Sequence, residues 1–553
     1  MSHRDHHFHA RVSQRNSQMV ILRLVLLSVA CVTAWAADPY DNLHYWYPVP
    51  KAEKPAVIEA DVIAYGATPA GVSATIQARR MGKTAVLVEF GTHVGGLTSS
   101  GLSNTDGGNV IGGITREFYD RLGMLRGFSP SAAETAFRAM LEEAKVPLYT
   151  ECRLEAVVKD GLVVRELVME NGDRFKGRMF LDCTYEGDLF AKAGVGFHVG
   201  REANATYGES LNGVRKPPSP KHHNFRLPVD PYVVPGDPSS GALSGITNSA
   251  PDAPGVLGSG DRRVQAYNFR MYLAKKPNAL PFPKPKGYDP KRYDLLARYI
   301  AAGATDPIDF MQLRTGDSNN FGAFSTDNIG MSYDWPEGSY QRREEIYQDQ
   351  VTYQQGLMWF LSNDPRVPAD IRAKVEAYGL PKDIFVETGG WPHALYVREA
   401  RRLVGELVMT EHYCRRQKTA EDGVGLAEYT MDSHNVQRFI LMADGKAQAQ
   451  NEGDVQDKVP GPYPVSYRSL VPKRGECANV LVPVSLSASH MAYGSIRMEP
   501  VFMVLGQSAA TAAVLAINAG LAVQDVPYST LRERLLADKQ LLVPGKTNGK
   551  LNL

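Results

Sequence analysis

The chain has 553 residues, a length that favours two interleaved domains over one simple domain. Its composition is that of a globular protein, with 43% hydrophobic and 22% charged residues. The 61 basic and 60 acidic side chains leave a formal net charge of +1, so we expect no nucleic-acid partner.

The N-terminus has the three parts of a secretory signal peptide. A basic, His-rich lead precedes the apolar run MVILRLVLLSVACVTAWA, which ends at residues 34–36 in a small-x-small cleavage pattern. Met19 is an alternative start. Arg23 interrupts the run, which is short for a membrane span. We therefore predict export to the periplasm or the outside, with no stable span after cleavage; a lipid anchor at Cys31 is the weaker alternative.

The cysteine pattern predicts neither a metal centre nor a disulfide framework. Cys31 lies in the leader, and the other four are Cys152, Cys183, Cys414 and Cys477. They form no CxxC pair and stand at no metal spacing from a histidine. We expect buried thiols and no metal site.

The stretch VIAYGATPAGVSATIQARRMGKTAVLVE, from residue 62 to residue 89, predicts a strand, a glycine turn, a helix and a second strand. Gly66 supplies the turn, and Gly71 lets the helix approach the strand, with Ala70 on its small face. Glu89 follows at the spacing of the acid that holds ribose hydroxyls in dinucleotide-binding folds, which disfavours NADP. Thr68 replaces the middle glycine, but its amide, its hydroxyl and the helix N-terminus still favour a phosphate.

The next segment, FGTHVGGLTSSGLSNTDGG, is rich in small residues. An NAD domain would begin a helix here, whereas such a loop suits an extended cofactor that passes close to the backbone. Gly95, Gly96 and Leu97 are therefore candidate contacts.

Residues 146–184 alternate apolar and polar side chains, with turns at 159–161 and 171–172. This pattern predicts a β-meander, followed by a helix in YEGDLFAKAG. Asp182 ends the last predicted strand. It is either a cofactor contact or part of a structural joint between that strand and the helix.

From about residue 215 to residue 390, prolines, glycines and aromatics become frequent, which predicts a second domain or cap. Its aromatic residues are either a sugar-stacking platform or core. After it, WPHALYVREARRLVGELVMTEHY predicts a strand running into a helix, with Arg398 near the junction. Asp432 and His434 are two apart, so on a strand the carboxylate would orient the imidazole.

The C-terminal block begins with an apolar strand, ANVLVPV, and continues as SLSASHMAYGSIRMEPVFMVLGQSAATAAVLAINAG. A helix of small residues is predicted from near Glu499. Pro500 stands at an early helical position, where its missing N–H costs little.

These blocks together resemble the FAD-dependent oxidoreductases of the glutathione-reductase-like superfamily, and most closely a group of bacterial, often exported flavoproteins that sometimes carry the label xanthan lyase. The stretches that carry the resemblance are YGATPAGVSATIQA, HVGGLTSSGL, FLDCTYEGDLFAKAGVGFHVGRE, YVREARRLVGELVMTE, YTMDSHNVQR and LSASHMAYGSIRMEPVFMVLGQSAATAA. The resemblance implies FAD, a two-domain fold and oxidation chemistry.

The implied fold class is α/β: a discontinuous Rossmann-like FAD-binding domain with a β-meander, plus an inserted α+β cap or substrate domain. The expected organisation is a signal peptide at 1–36, a linker at 37–57, FAD-binding segments at 58–215 and 425–530, a cap at 216–424 and a tail at 531–553.

The resemblance also places parts of the cofactor. The C-terminal helix would point its N-terminus at the flavin N1–C2=O edge and stabilise the anionic reduced ring. Pro500 starts this helix, and the turn YGSIR, with Arg497, would lie along the ring. Leu154 and Ala156 would lie by the adenine, and Asp182 belongs to the second FAD-contacting segment.

The expected reaction is dehydrogenation of an alcohol carbon on a sugar or glycoside. His490 or His434 would take the hydroxyl proton as the hydride leaves for flavin N5, because an imidazole suits base catalysis near neutral pH. Arg398 or Arg497 would hold an anionic substrate or the flavin. The electron acceptor stays open, as do two other functions: redox-assisted elimination of a glycoside, and glycan binding by a chain that has lost its flavin.

Overall fold

A computed structural model describes residues 38–104, 106, 110–216, 223–304 and 313–545. The predicted signal peptide and Cys31 lie outside these residues. The other four cysteines are buried free thiols, as expected.

The secondary structure comprises the following elements in the described residues. The α-helices are α1 (Pro69–Arg80), α2 (Gly113–Leu122), α3 (Pro130–Glu143), α4 (Asp188–Lys192), α5 (Asn204–Tyr207), α6 (Asp294–Ala301), α7 (Tyr340–Asn363), α8 (Ala369–Glu376), α9 (Glu411–Cys414), α10 (His490–Ile496), α11 (Glu499–Ala519) and α12 (Tyr528–Ala537). The strands are β1 (Val57–Tyr65), β2 (Ala85–Val88), β3 (Leu148–Tyr149), β4 (Leu154–Asp160), β5 (Val163–Met169), β6 (Arg174–Asp182), β7 (Phe197–Val199), β8 (Met271–Lys275), β9 (Ala279–Leu280), β10 (Gly316–Ser318), β11 (Tyr378–Pro381), β12 (Arg401–Leu403), β13 (Gly423–Ala427), β14 (Met431–Ser433), β15 (Gln437–Ala443), β16 (Lys446–Glu452), β17 (Val455–Asp457), β18 (Tyr463–Ser466) and β19 (Val480–Leu481).

The central sheet has five parallel strands in the order β3-β2-β1-β6-β19. β1 and β6 pair along their length, from Val57 opposite Arg174 to Tyr65 opposite Asp182. The start of β6 also pairs antiparallel with β5, which pairs with β4. This arrangement confirms the predicted Rossmann-like α/β fold with a β-meander.

Alternation along β1 sorts its side chains onto the two faces of the sheet. Val62 and Ala64 pack into an apolar cluster with α1, α2, α3 and α11. Ile63 and Tyr65 pack into a second cluster with residues of β4, β5 and α4. The sheet is therefore covered on both faces, as parallel sheets require.

Helix α11 crosses α1 at very short range. The Ser73 hydroxyl donates to the Met503 carbonyl (2.7 Å), and a Cβ on Gly506 would lie only 2.2 Å from the Ala70 carbonyl oxygen. α11 is long and apolar enough to cross a membrane by composition, yet 94% of its apolar window is buried in the protein. Its composition is explained by its place in the core.

A separate hydrophobic cluster occupies the predicted cap, with α6, α7 and α8 beside the four-stranded sheet β10-β8-β11-β9. Trp335, Tyr347 and Tyr353 are buried in it, so many of the cap aromatics are core. Leu43, from the predicted linker, and Ala449, from the second predicted FAD-binding segment, also belong to this cluster.

The C-terminal segment predicted as a tail packs instead of extending away. Leu531 and Leu535 of α12 are fully buried in the cluster that contains α1 and α11. The described part of the predicted tail, up to residue 545, therefore includes core residues.

Two local predictions were wrong. The segment after Trp391 forms only the short strand β12 and the single turn α9, because residues 401–403 are extended and pair antiparallel with β7. The stretch YGSIR begins inside α10 and is not a turn: the buried Tyr493 is part of the helix.

Candidate cofactor-binding and active site

The turn after β1 has room for glycine alone. Gly66 has φ +102°, and a Cβ there would lie 2.8 Å from the Cys183 carbonyl group. A Cβ on Gly71 would lie 2.0 Å from the Gly66 carbonyl oxygen. The two glycines thus allow α1 to begin directly above the strand ends, as the sequence predicted.

Thr68 occupies the N-cap position of α1 but makes no side-chain cap. Its hydroxyl donates a 2.8 Å hydrogen bond to the Cys183 carbonyl, which ties the turn after β1 to the turn after β6. The first N–H groups of α1 are left without a side-chain acceptor, as a phosphate-binding helix N-terminus requires.

Glu89 follows β2 and lies beside the same turn. Its carboxylate accepts hydrogen bonds from the Ala67 N–H (2.5 Å) and the Gly91 N–H (2.8 Å). Burial raises its pKa above the ordinary value. A half-buried acid at this position is suited to receiving hydroxyl donors.

The predicted glycine loop lies over the first turn and contacts Tyr185, which follows β6. The Gly95 N–H donates to the Ala67 carbonyl (2.7 Å), and the Leu97 N–H donates to the Tyr185 hydroxyl (3.0 Å). A Cβ on Gly96 would lie 2.3 Å from that hydroxyl oxygen.

Asp182 supports the wall and does not line it. Its carboxylate accepts from the Thr184 N–H and hydroxyl and from the Phe190 N–H, at 2.7 to 3.1 Å. The residue is fully buried, and burial raises its pKa to about 6. Asp182 therefore fits the structural-joint alternative. Ala70 likewise faces away, with its carbonyl toward Gly506 of α11.

These turns border a cavity of about 430 Å³, the cofactor cavity. Gly66, Thr68, Glu89 and Gly96 are the predicted residues on its wall. Its aromatic wall includes Tyr45, Phe90, Tyr185, Trp335 and Tyr347. The rings of Tyr45 and Phe90 stack with centroids 4.7 Å apart.

Two acids of the segment after β6 also line the cofactor cavity. Burial raises the pKa of Glu186 to about 7. Burial would also raise the pKa of Asp188, but its ion pairs with Arg343 (2.6 Å) and Arg401 (2.7 Å) outweigh burial and lower it to about 2. One acid is therefore poised to titrate near neutrality while its neighbour stays ionised.

His93 and His393 stack on the wall of the cofactor cavity, with ring centroids 3.6 Å apart and planes at 12°. His93 Nδ1 lies 3.1 Å from Glu134 and its Nε2 lies 3.5 Å from Glu387. The Nδ1 of His393 is buried and has no hydrogen-bond partner in the described part of the chain. Burial, and then the nearby His93, lower the pKa of His393 well below the ordinary value, so its imidazole is neutral.

A second, small cavity of about 20 Å³ lies at the start of α11. Arg497, Pro500, Tyr396 and Glu499 are among its walls. Arg497 and Pro500, predicted as flavin contacts, thus line this small cavity and not the large one. Burial raises the pKa of Glu499 to about 8.

His490 is fully buried, and both of its ring nitrogens have protein partners. Nδ1 lies 2.7 Å from a Glu399 carboxylate oxygen and Nε2 lies 3.0 Å from the Ser433 hydroxyl. No ring nitrogen is left to accept a substrate proton, so this geometry fits a positioning role better than the predicted base.

His434 and Arg398 share a carboxylate. His434 Nδ1 lies 2.7 Å from Asp327 and Arg398 lies 3.0 Å from it, while His434 Nε2 is 3.6 Å from Asp432. Asp432 therefore lies near His434, but His434 follows β14, and the carboxylate within hydrogen-bond distance of its imidazole is that of Asp327. Burial would raise the pKa of Asp327, but Arg398 and then His434 outweigh it and lower that pKa.

Gln265 joins these predicted catalytic residues into one buried network. Its amide donates to Glu399, the partner of His490, and its carbonyl oxygen accepts from the His434 N–H and from Arg497. The sequence thus selected residues that do lie together, but they line the small cavity or lie behind it.

Neither Leu154 nor Ala156 lines the cofactor cavity or the small cavity. Leu154 is buried, with its N–H bonded to the Tyr65 hydroxyl and its carbonyl to the Tyr340 hydroxyl. Ala156 is exposed on β4 opposite Val168. Their predicted place beside the adenine is not supported by this arrangement.

A family model described as FAD dependent oxidoreductase matches residues 61–535, which span β1 to α12. The chain belongs to the FAD-dependent oxidoreductase family. FAD is therefore its cofactor. The turns around Gly66, Thr68 and Glu89 are the predicted place for it. A search of curated proteins found no match.

A comparison with solved structures found partial similarities at low sequence identity. THI4 of Thermovibrio ammonificans is 18% identical over 26% of this chain and 66% of its own (TM-score 0.22). Bacillithiol disulfide reductase from Staphylococcus aureus is 16% identical over 23% of this chain and 38% of its own (TM-score 0.19). L-amino acid deaminase from Proteus vulgaris is 13% identical over 31% of this chain and 57% of its own (TM-score 0.21). The matched region thus spans less than two thirds of each of those chains.

The residues on the cofactor cavity fit FAD. The uncapped N-terminus of α1 would hold the phosphates, and Glu89 would take the ribose hydroxyls. Gly66 and Gly71 allow the close packing of the turn after β1 against the turn after β6 and against α1. The aromatic walls suit the apolar rings of the cofactor.

Several wall residues were missed by the sequence reasoning. Tyr185 follows the strand end marked by Asp182, so its position in DCTYEGD was a usable signal. Tyr45 comes from the predicted linker, where no sequence signal pointed to a place on the cavity wall. The pairing of His93 with His393 joins residues three hundred positions apart, which no local pattern reveals.

Proposed function

We propose that this FAD-dependent oxidoreductase oxidises an alcohol carbon of a sugar or glycoside, with His393 as the residue that accepts the hydroxyl proton. The observation that carries the proposal is the neutral His393 imidazole on the cofactor-cavity wall, where its ring stacks on that of His93. FAD, when bound, supplies an acceptor for the hydride that leaves the same carbon.

The surroundings of His393 suit proton transfer. Its ring stacks on His93, which is held through Nδ1 by the Glu134 carboxylate, so the two rings are fixed relative to each other. A neutral imidazole in a water-poor wall is ready to take a proton as the substrate C–H bond breaks. The half-exposed Glu387 lies 3.5 Å from His93 Nε2 and links the pair to solvent.

A metal-binding role for the same group is less well supported. Ligand atoms of His93, Glu387 and His393 lie within 4.8 Å of one another. The two imidazoles are nearly parallel, however, and the in-plane lone pairs of stacked rings do not converge on one ion as zinc coordination requires. We therefore assign these histidines to proton transfer.

The test is anaerobic reduction of the FAD-loaded protein by a panel of neutral and acidic sugars. The loss of the visible flavin absorbance measures the reduction. The His393→Asn variant should keep its FAD and lose roughly 10²- to 10⁴-fold in reduction rate, the usual contribution of a positioned base. His44→Asn is the matched control, because His44 also lines the cavity but is bonded to Glu344. Reduction of His393→Asn at the wild-type rate would exclude this base.

The same assay separates oxidation from redox-assisted elimination. Oxidation leaves one reduced flavin per product when no acceptor is present, whereas elimination returns the flavin to its oxidised state and releases an unsaturated sugar. Oxygen consumption compared with dye reduction then distinguishes an oxidase from a dehydrogenase.

We further propose export of this protein to the periplasm or the medium. The support is the signal-like pattern of residues 1–36. Fractionation of cells that produce the full chain, with N-terminal sequencing of the mature protein, tests it: a cytoplasmic protein with an intact N-terminus would contradict export.

A further inference from the structure

Arg438, on β15, is a buried guanidinium without an acidic partner. It is 3% exposed. Nε donates to the Asn451 side-chain oxygen (2.9 Å), Nη2 to the Ala323 carbonyl (2.9 Å) and Nη1 to the Gly245 carbonyl (3.3 Å). A guanidinium has five N–H donors, so two have no acceptor within the described ranges.

Three other buried arginines of this chain are paired with carboxylates, whereas buried Arg153 has no carboxylate within ion-pair distance in the described residues. Arg201 pairs with Asp261 and Glu452, Arg343 with Asp188, and Arg402 with Glu202 and Glu399. Around Arg438 no carboxylate of the described residues lies within ion-pair distance, and burial lowers its pKa to about 10. Burying an unpaired charge is costly, and a bound anion would offset that cost.

Arg438 borders a cavity of about 310 Å³, the cap cavity. Tyr293, Phe324 and Tyr353 supply aromatic walls. The guanidinium of Arg438 lies over the Phe324 ring at 4.8 Å. The cap cavity and the cofactor cavity have no lining residue in common.

The other charged groups of the cap cavity do not neutralise Arg438. Arg292 is paired with Asp349 (2.7 Å), and the same Asp349 oxygen accepts from Asn328 (3.1 Å). Asp289 also lines the cavity and accepts from the Lys291 N–H. Arg438 is buried and unpaired, whereas Asp289 is exposed to solvent.

We propose that the cap cavity binds an organic carboxylate of the size of one sugar acid. Its carboxylate accepts the two open N–H groups of Arg438, and its ring lies against the aromatic walls. The volume matches the lower range of small-molecule pockets. This site does not depend on the proposed oxidation of an alcohol, because it lies apart from the FAD-binding residues.

The test is binding to the FAD-loaded protein, measured by calorimetry with D-glucuronate, with D-glucose as its uncharged counterpart and with inorganic sulfate. Glucuronate should bind, and glucose should bind at least tenfold more weakly, because it lacks the charge-assisted hydrogen bonds. Arg438→Gln should weaken glucuronate binding on the order of 10- to 100-fold.

A second variant covers the case in which Arg438→Gln fails to fold. Ser244 is exposed at the rim of the cap cavity, and Ser244→Trp should fill it without removing a hydrogen bond of Arg438. Ser249→Trp, at an exposed position outside the cavity, should bind glucuronate as the wild type does. Unchanged flavin absorbance reports that each variant is folded.

Several outcomes would overturn the proposal: equal binding of glucose and glucuronate, undiminished glucuronate binding by Ser244→Trp, or binding of sulfate alone. Flavin reduction by sugars is measured separately. A failure of the proposed oxidation and a failure of the cap site therefore give different results.

Discussion

The Tyr185 hydroxyl donates a 2.8 Å hydrogen bond to the Glu499 carboxyl group. Tyr185 lines the cofactor cavity and Glu499 lines the small cavity at the start of α11, so this pair forms part of the partition between the two. The same hydroxyl accepts from the Leu97 N–H, and Thr98 reaches the other Glu499 oxygen at 3.3 Å. The glycine loop, the turn after β6 and the first residue of α11 are joined at one point.

The raised pKa of Glu499 makes stability depend on pH. Because burial raises it to about 8 from 4.5, the unfolded chain loses this proton near pH 4.5 and the folded chain keeps it to about pH 8. The free energy of unfolding should therefore fall as pH rises through this window, by about 1.4 kcal/mol per pH unit. Glu499→Gln does not titrate and should gain stability relative to the wild type up to pH 8. Denaturant unfolding at several pH values checks this; a difference that is constant from pH 5 to pH 8 would contradict it.

Gly71→Ala should abolish FAD binding. The added Cβ would lie 2.0 Å from the Gly66 carbonyl oxygen, so α1 must move away from the turn that holds the phosphates. The measurement is flavin absorbance per protein after purification. Gly82→Asn is the control: Gly82 has φ +81° with open space around it, and asparagine tolerates that conformation. Full FAD content in Gly71→Ala would show that the turn accommodates a side chain.

Thr68→Val should lower the free energy of unfolding by about 1–3 kcal/mol, because the Cys183 carbonyl loses its buried hydroxyl donor. FAD binding should persist, since that hydroxyl is directed at the turn after β6. Thr68→Gly restores the usual glycine but loses the same bond, so its FAD affinity should not exceed that of the wild type. Tighter FAD binding by Thr68→Gly would mean that threonine obstructs the pyrophosphate.

Much of the FAD-binding part could be predicted because its signals are local. Gly66, Gly71 and Glu89 lie in one strand-turn-helix-strand unit, where spacing along the chain fixes spacing in space. Pro500 at the start of α11 is likewise a local signal, and the helix begins where it indicated.

The rest depends on contacts that no local pattern carries. His490 was chosen as a base for its residue type, but its partner Glu399 comes from a segment 91 positions away. Leu43 packs in the hydrophobic cluster of the cap, although the sequence around it resembles a linker. The unpaired state of Arg438 is visible only when all of its neighbours are known.

The pH dependence of flavin reduction should report His393. Because burial lowers its pKa below 6.5, the imidazole stays an unprotonated base above that pH, and the reduction rate should fall only at lower pH. His93→Gln removes the neighbouring charge that also lowers this pKa, so the fall in rate should move to higher pH. Stopped-flow reduction of both proteins from pH 4 to pH 9 measures it. A rate that declines above pH 6.5 in the wild type would contradict the assignment.

The close crossing of α1 and α11 also has a consequence for biosynthesis. The first strand and helix leave the ribosome early, but the helix that covers them begins at Glu499, near the end of the chain. Until that segment is synthesised, the nascent sheet presents an uncovered apolar face, which slows folding and favours aggregation. Nascent chains that stop before Glu499 should therefore bind holdase chaperones, and release from them should coincide with the synthesis of α11.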